Sequence, residues 1–136
     1  MTTLAVDTPR VFELGDMNEL VAASAIKEGA FVCAVKADGT AAVGSVAIST
    51  HSFAGVAERG VASGAKVRLR TRGKIVMPVT GASAASVGAI VYASDDNALT
   101  LTASTNVPVG YVSRHISSTT CLVEFSATAE RDIAVA

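Results

Sequence analysis

A chain of 136 residues and 13.7 kDa is sized for one domain rather than two. Half of it is hydrophobic, drawn mainly from 25 Ala and 19 Val, which is too apolar for a disordered chain and, with many Val and Thr, suits β structure. Its 12 acidic and 11 basic residues leave a net charge of −1, which excludes a strongly basic nucleic-acid packer.

In chain order, residues Met1–Asp7 lack a basic leader and a long apolar run, so no signal peptide is expected. Pro9 holds Thr8 extended, and residues 1–15 read as an N-terminal arm. Within it, Val11–Leu14 could form a short strand before Gly15. Asp16 and Glu19 have capping-box spacing. Met17, Leu20 and Val21 recur at i, i+3 and i+4, which predicts a short helix through about Ile26.

From Ala30 the pattern is β. Phe31–Val35 is apolar throughout, as a buried strand is. Asp38-Gly39 signals a hairpin, with Ala41–Val46 returning from it. Phe53–Ala57 is a further strand. Lys66–Arg72 alternates strictly, and Ile75, Met77 and Val79 continue the alternation beyond Gly73. Residues 81–88 read as a loop with at most one helical turn. Ala89–Ala93, Leu99–Thr102, Val107–Val112 and Cys121–Phe125 complete the strands, with turns at Asp95–Asn97 and Ser117–Thr120. Residues 126–136 lose the pattern and read as a tail. About eight short strands without a βαβ rhythm predict an all-β fold, a small antiparallel barrel or sandwich spanning 16–125.

Candidate chemistry is sparse. His51 sits in a polar loop and His115 at a strand end. Each reads as an ordinary solvated histidine, and neither is placed near an activated serine, so Ser-His-Asp hydrolysis is not favoured. No zinc spacing, phosphate loop or dinucleotide fingerprint occurs, so no cofactor or metal is expected. Asp95-Asp96-Asn97 lacks a calcium loop's ligand series and reads as a turn. Cys33 and Cys121 lie in apolar strand patterns, as buried free thiols do. No stretch is long and apolar enough for a membrane helix.

The outstanding feature is electrostatic. Lys66, Arg68, Arg70, Arg72 and Lys74 place five of eleven basic residues within nine positions, the first four on one strand face. Such a row repels itself unless acids lie across from it. It could be a solvated face, a surface for an acidic protein partner or neighbouring copy, or a nucleic-acid platform. The last is least favoured, since the strand lacks aromatics to stack bases.

The order of several stretches resembles the head decoration, or capsid cement, proteins of tailed bacteriophages. These are Phe53-Ala54-Gly55-Val56-Ala57; Gly64-Ala65-Lys66-Val67-Arg68-Leu69 with Arg72-Gly73; Val79-Thr80-Gly81-Ala82; Val87 through Asn97; and Val109-Gly110-Tyr111-Val112 followed by Val123-Glu124-Phe125. The resemblance covers roughly residues 28–125. It implies a β-tulip-like domain with an extended arm that joins the outside of an expanded capsid, often as a trimer, bridges capsid subunits and catalyses nothing. It implies as partners the major capsid protein and further copies of the chain, as a homotrimer or else a dimer. It also implies synthesis in the bacterial host cytoplasm and residence on the outer capsid surface. On this expectation Thr2, Thr3, Leu4, Val6, Pro9 and Arg10 of the arm, with the basic stripe, contact partners. The alternative is a small barrel that binds nucleic acid or a ligand through residues 66–74.

Overall fold

The computed structural model describes residues 15–42 and 44–127. Their strands are β1 (Met17–Val21), β2 (Phe31–Val35), β3 (Ala41–Ala42), β4 (His51–Ala57), β5 (Lys66–Arg70), β6 (Arg72–Thr80), β7 (Ile90–Ala93), β8 (Leu99–Thr100), β9 (Val107–Ser117) and β10 (Thr120–Ser126). A single 3-10 turn, Ala84–Ser86, is capped by the Ser83 hydroxyl. The first five strands form an open sheet in the order β1-β5-β4-β2-β3, and the last five close into a barrel in the order β10-β6-β8-β7-β9. Every pairing is antiparallel except β6 with β8.

The all-β expectation holds, with ten strands among the described residues rather than about eight. The strand with no counterpart in the expected set is β1, while the strands expected at Ala41–Val46 and Leu99–Thr102 are both cut to two residues. The helix expected after Asp16 is instead β1, registered residue for residue against β5 from Met17↔Arg70 to Val21↔Lys66. Tertiary pairing overrides the weak helical period there. The Asp16 carbonyl accepts the Thr71 N–H at 2.9 Å, so the backbone is already committed to a ladder. Leu20 also lies opposite Val67 and packs against its core cluster, which an alternating strand satisfies as well as a helix. The return strand expected at Ala41–Val46 is cut to β3. Val46 instead donates its N–H to Ser94 O, tying this connection to the barrel.

Two turns follow their sequence signals. Asp38 Oδ1 accepts from Thr40 N–H at 3.0 Å and from Thr40 Oγ1 at 2.7 Å, while Gly39 takes a φ of +73°. These bonds hold the Asp38 carboxyl below its ordinary pKa, the backbone bond contributing most. Asp95 Oδ1 accepts from Asn97 N–H at 2.8 Å, the turn geometry expected of that triplet. The Asp96 carbonyl then accepts the Phe31 N–H at 2.9 Å and joins the turn to the sheet.

The core has two clusters on opposite sides of the sheet. Phe31, Cys33, Phe53 and Val56 face the barrel and share a cluster with Val91, Val109, Val112, Val123 and Phe125. Phe31, Phe53 and Phe125 meet at centroid distances of 5.7–6.3 Å, one pair stacked and two edge-on, which joins the two sheets through aromatic contact. On the far face Ile26, Val32, Ala54, Ala57, Val67 and Leu69 form the second cluster. Strands β2 and β4 are therefore covered on both sides, which explains the polar-free runs Phe31–Val35 and Phe53–Ala57. Cys33 and Cys121 are both buried and form no disulfide, and burial pushes the Cys121 pKa up.

Candidate functional surface

The alternation of β5 does what its sequence requires. Val67 and Leu69 are fully buried, and Lys66, Arg68 and Arg70 are exposed on the other face. The stripe then leaves the sheet. Thr71 is the hinge: its N–H bonds to Asp16 O, its hydroxyl to Gly15 O at 3.0 Å, and its carbonyl accepts from Ala127 N–H at 2.7 Å. Arg72 and Lys74 lie beyond it on the exposed side of β6, in the barrel. The five cations thus span the junction of two sheets, three on one and two on the other.

Acids answer most of them. Glu19, opposite Arg68 in the ladder, lies 4.0 Å from Lys66. Glu58 lies 3.7 Å from Arg68 and 3.6 Å from Arg70. Glu124, opposite Lys74, lies 3.8 Å from it. Arg72 has no acid within ion-pair distance among the described residues. Three carboxylates against five cations relieve the self-repulsion expected of the stripe and leave a local positive excess. The pairs are solvent-exposed, so each contributes only about 0–1 kcal/mol. Sequence reasoning named the cations but did not pair them with Glu19, Glu58 or Glu124. They are distant in sequence from their partners, and only the strand register brings them together.

Beside the stripe the barrel carries a cross-strand row. Lys74, Glu124, Tyr111 and Ile90 lie side by side on β6, β10, β9 and β7. Tyr111 donates its hydroxyl to Glu124 Oε2 at 2.7 Å. That bond raises the tyrosine pKa, with smaller contributions from desolvation and from the carboxylate charge. Around this row lies an open groove of ≈ 600 Å³, reached by Asp16 and Arg72 at one end and lined by Gly110 and Phe125. Val76, Tyr111 and Ile116 are exposed apolar side chains of β6 and β9.

The histidines are spent on local bonds. His51 Nδ1 lies 2.8 Å from Thr50 Oγ1, and His115 Nε2 lies 2.7 Å from Ser118 O. No group of three or more metal-ligating side chains occurs among the described residues. No helix among them is long and apolar enough to cross a membrane. Thr2, Thr3, Leu4, Val6, Pro9 and Arg10 lie outside the described residues, so the structure brings none of them to the stripe.

The described part of the molecule defines an all-β class, a small barrel backed by a sheet, with its charged and apolar features on open surface. Comparison with protein families narrows the class. Residues 12–125 match the family described as phage cement protein, and with most of its length covered the chain belongs to that family. Membership makes it a structural component of the bacteriophage capsid and implies a non-enzymatic role. No curated protein matches the chain.

Proposed function

We propose that this protein binds the outside of the expanded capsid and stabilises it by bridging neighbouring copies of the major capsid protein. The family match over residues 12–125 carries the reading. A ligand of the expanded shell stabilises that form by mass action, and many copies with modest interfaces suffice. The protein self-associates, as a homotrimer. The domain at 16–125 supplies the rigid body, and residues 1–15, with Thr2, Thr3, Leu4, Val6, Pro9 and Arg10, act as a docking arm whose attachment limits the entropy lost on ordering. Of the tail expected at 126–136, Ser126 instead ends β10 and Ala127 bonds to Thr71, and residues 128–136 lie outside the described residues. The cations from Lys66 to Lys74 face an acidic patch on the capsid protein or on a sister copy. The positive excess left by three carboxylates supports that role, and so does the exposure of Arg68 and Arg70, whose side chains are 63% and 59% accessible.

The test is co-sedimentation with expanded, decoration-free heads of the encoding phage, with unexpanded heads as control. Saturable binding to expanded heads at a fixed ratio to capsid protein is expected. Reversing both Arg68 and Arg70 to Glu should weaken occupancy at low salt by roughly tenfold, about 1.4 kcal/mol, and the deficit should shrink as salt rises. Absence of binding by the folded protein would remove the cement reading. Unchanged occupancy by the double variant would remove only the role of the stripe.

A further inference from the structure

An antiparallel sheet with one face in water keeps polar side chains on that face, and the outside of the barrel departs from the rule. Of the seven large apolar side chains left exposed among the described residues, four, Val76, Ile90, Tyr111 and Ile116, stand on barrel strands, against one, Val21, on a strand of the sheet. Val76 is 55% exposed and lies directly opposite Leu122, an outward residue of β10. Leu122 in turn lies opposite Arg114, and the exposed Ile116 stands two residues further along β9 on the same face. The neighbouring row is Lys74, Glu124 and Tyr111. An apolar patch rimmed by polar groups marks a surface that a partner covers.

We infer that a second copy of this chain covers it, with Leu122 near the centre of the contact. This is the surface of the self-association proposed above, and it rests on that reading. Charge selects the occupant. Glu124 lies 3.8 Å from Lys74 and accepts the Tyr111 hydroxyl, so that row is neutral in itself and draws no acidic partner. Arg114 has no acid within ion-pair distance among the described residues. Glu124 stands on the adjacent strand and keeps 39% of its side chain accessible. The Glu124 of a sister copy can therefore meet Arg114, and the patch is complementary to a copy of itself. The stripe is not, because its positive excess would meet the same excess on the other copy. Copies thus meet through the barrel, and the sheet's cations, Lys66, Arg68 and Arg70, are left for the capsid protein.

Sedimentation of the free protein over a concentration series tests this without any capsid. The unsubstituted protein should associate reversibly. Val76→Asp, or Ile116→Asp if the first variant does not fold, should weaken association by about tenfold or more, since it sets a carboxylate into the apolar contact. Far-ultraviolet circular dichroism should stay unchanged. Arg114→Glu should also weaken association, and that deficit should shrink as salt rises. Reversing Arg68 and Arg70 to Glu should leave association as it was. Folded patch variants that associate like the unsubstituted protein would overturn the surface alone. Association lost in the Arg68 and Arg70 variant instead would move the contact to the stripe and overturn it as well. A protein monomeric at every concentration would remove self-association and the inference together, while binding to heads is read separately by co-sedimentation.

Discussion

The sheet and the barrel are built from the same small apolar residues but are held together differently. The barrel is closed, and β10 meets β6 over seven registered pairs. The sheet is open, with β1 and β3 as its edges, and β5 meets β4 at only two pairs, Val56↔Arg70 and Ala57↔Leu69. Strands β1 and β5 therefore form a flap. It is secured by its own five-residue ladder, by Val67 and Leu69 in the second core cluster, by Glu58 N–H bonded to Arg68 O, and by the Glu58 ion pairs. The flap carries three of the five stripe cations. The difference teaches that the stripe joins a closed half to an open half whose β4–β5 seam is narrow, the chain just after β1 being tied to β3 by Ala23 N–H bonded to Ala41 O.

Two glycines should break this comparison most sharply. A Cβ on Gly110 would collide with the Glu124 carbonyl, inside the β9–β10 ladder. A Cβ on Gly55 would lie 2.5 Å from the Arg70 carbonyl, in the seam between β4 and β5, at a φ of +145° that side chains rarely adopt. Gly110→Ala should cost more than about 3 kcal/mol and lower the melting temperature of the whole molecule, because a closed barrel cannot yield locally. Gly55→Ala should instead loosen the flap. Limited proteolysis between Glu58 and Lys66 should accelerate in G55A while the barrel's thermal transition largely survives. A single cooperative loss in both variants would show that the seam does not divide the molecule.

Those two glycines also mark what was legible in the sequence. Strand β2 was predicted to the residue, because its apolar run and the Asp38-Gly39 turn bound it on both sides. The alternation of Lys66–Arg70 was legible because period 2 sorts side chains without knowledge of partners. The helix expected at Met17–Ile26 failed because i, i+3, i+4 spacing over so few residues does not exclude alternation, and pairing with β5 decided the outcome. The five-residue stripe was visible as charge, but its division between two sheets at Thr71 was not. Nor were its acidic partners, since Glu19 and Glu124 find it only through register. Tyr111 stood only within the stretch Val109–Val112, where nothing signalled its bond to Glu124.

A gentler perturbation sharpens the comparison. Glu58→Gln removes the carboxylate from Arg68 and Arg70 while keeping the backbone bond. The exposed pairs contribute only about 0–1 kcal/mol, so the melting temperature should hardly move. Local opening is more sensitive. Amide exchange in β5 should quicken relative to β10, and added salt should erase part of the difference between E58Q and the unsubstituted protein. Equal acceleration in β5 and β10 would mean that the flap opens only when the barrel does.

The smallest effect separates the two charge networks by pH. On the sheet the network is Glu19, Glu58, Lys66, Arg68 and Arg70. On the barrel Glu124 is shared between Lys74 and a neutral donor, the Tyr111 hydroxyl. Because the folded pKa of Tyr111 is raised, mainly by that hydrogen bond, the bond's contribution is complete below the ordinary tyrosine value of about 10 and is lost as pH climbs through the raised one. The barrel network therefore weakens at alkaline pH on the Tyr111 side of Glu124. The chain has two tyrosines, and Tyr92→Phe leaves Tyr111 as the only phenol. Its absorbance titration should then show a midpoint above the ordinary one, and adding Glu124→Gln should bring the midpoint back down. A midpoint that ignores Glu124 would mean that the hydroxyl is solvated rather than bonded, and the cross-strand row would lose its only neutral link.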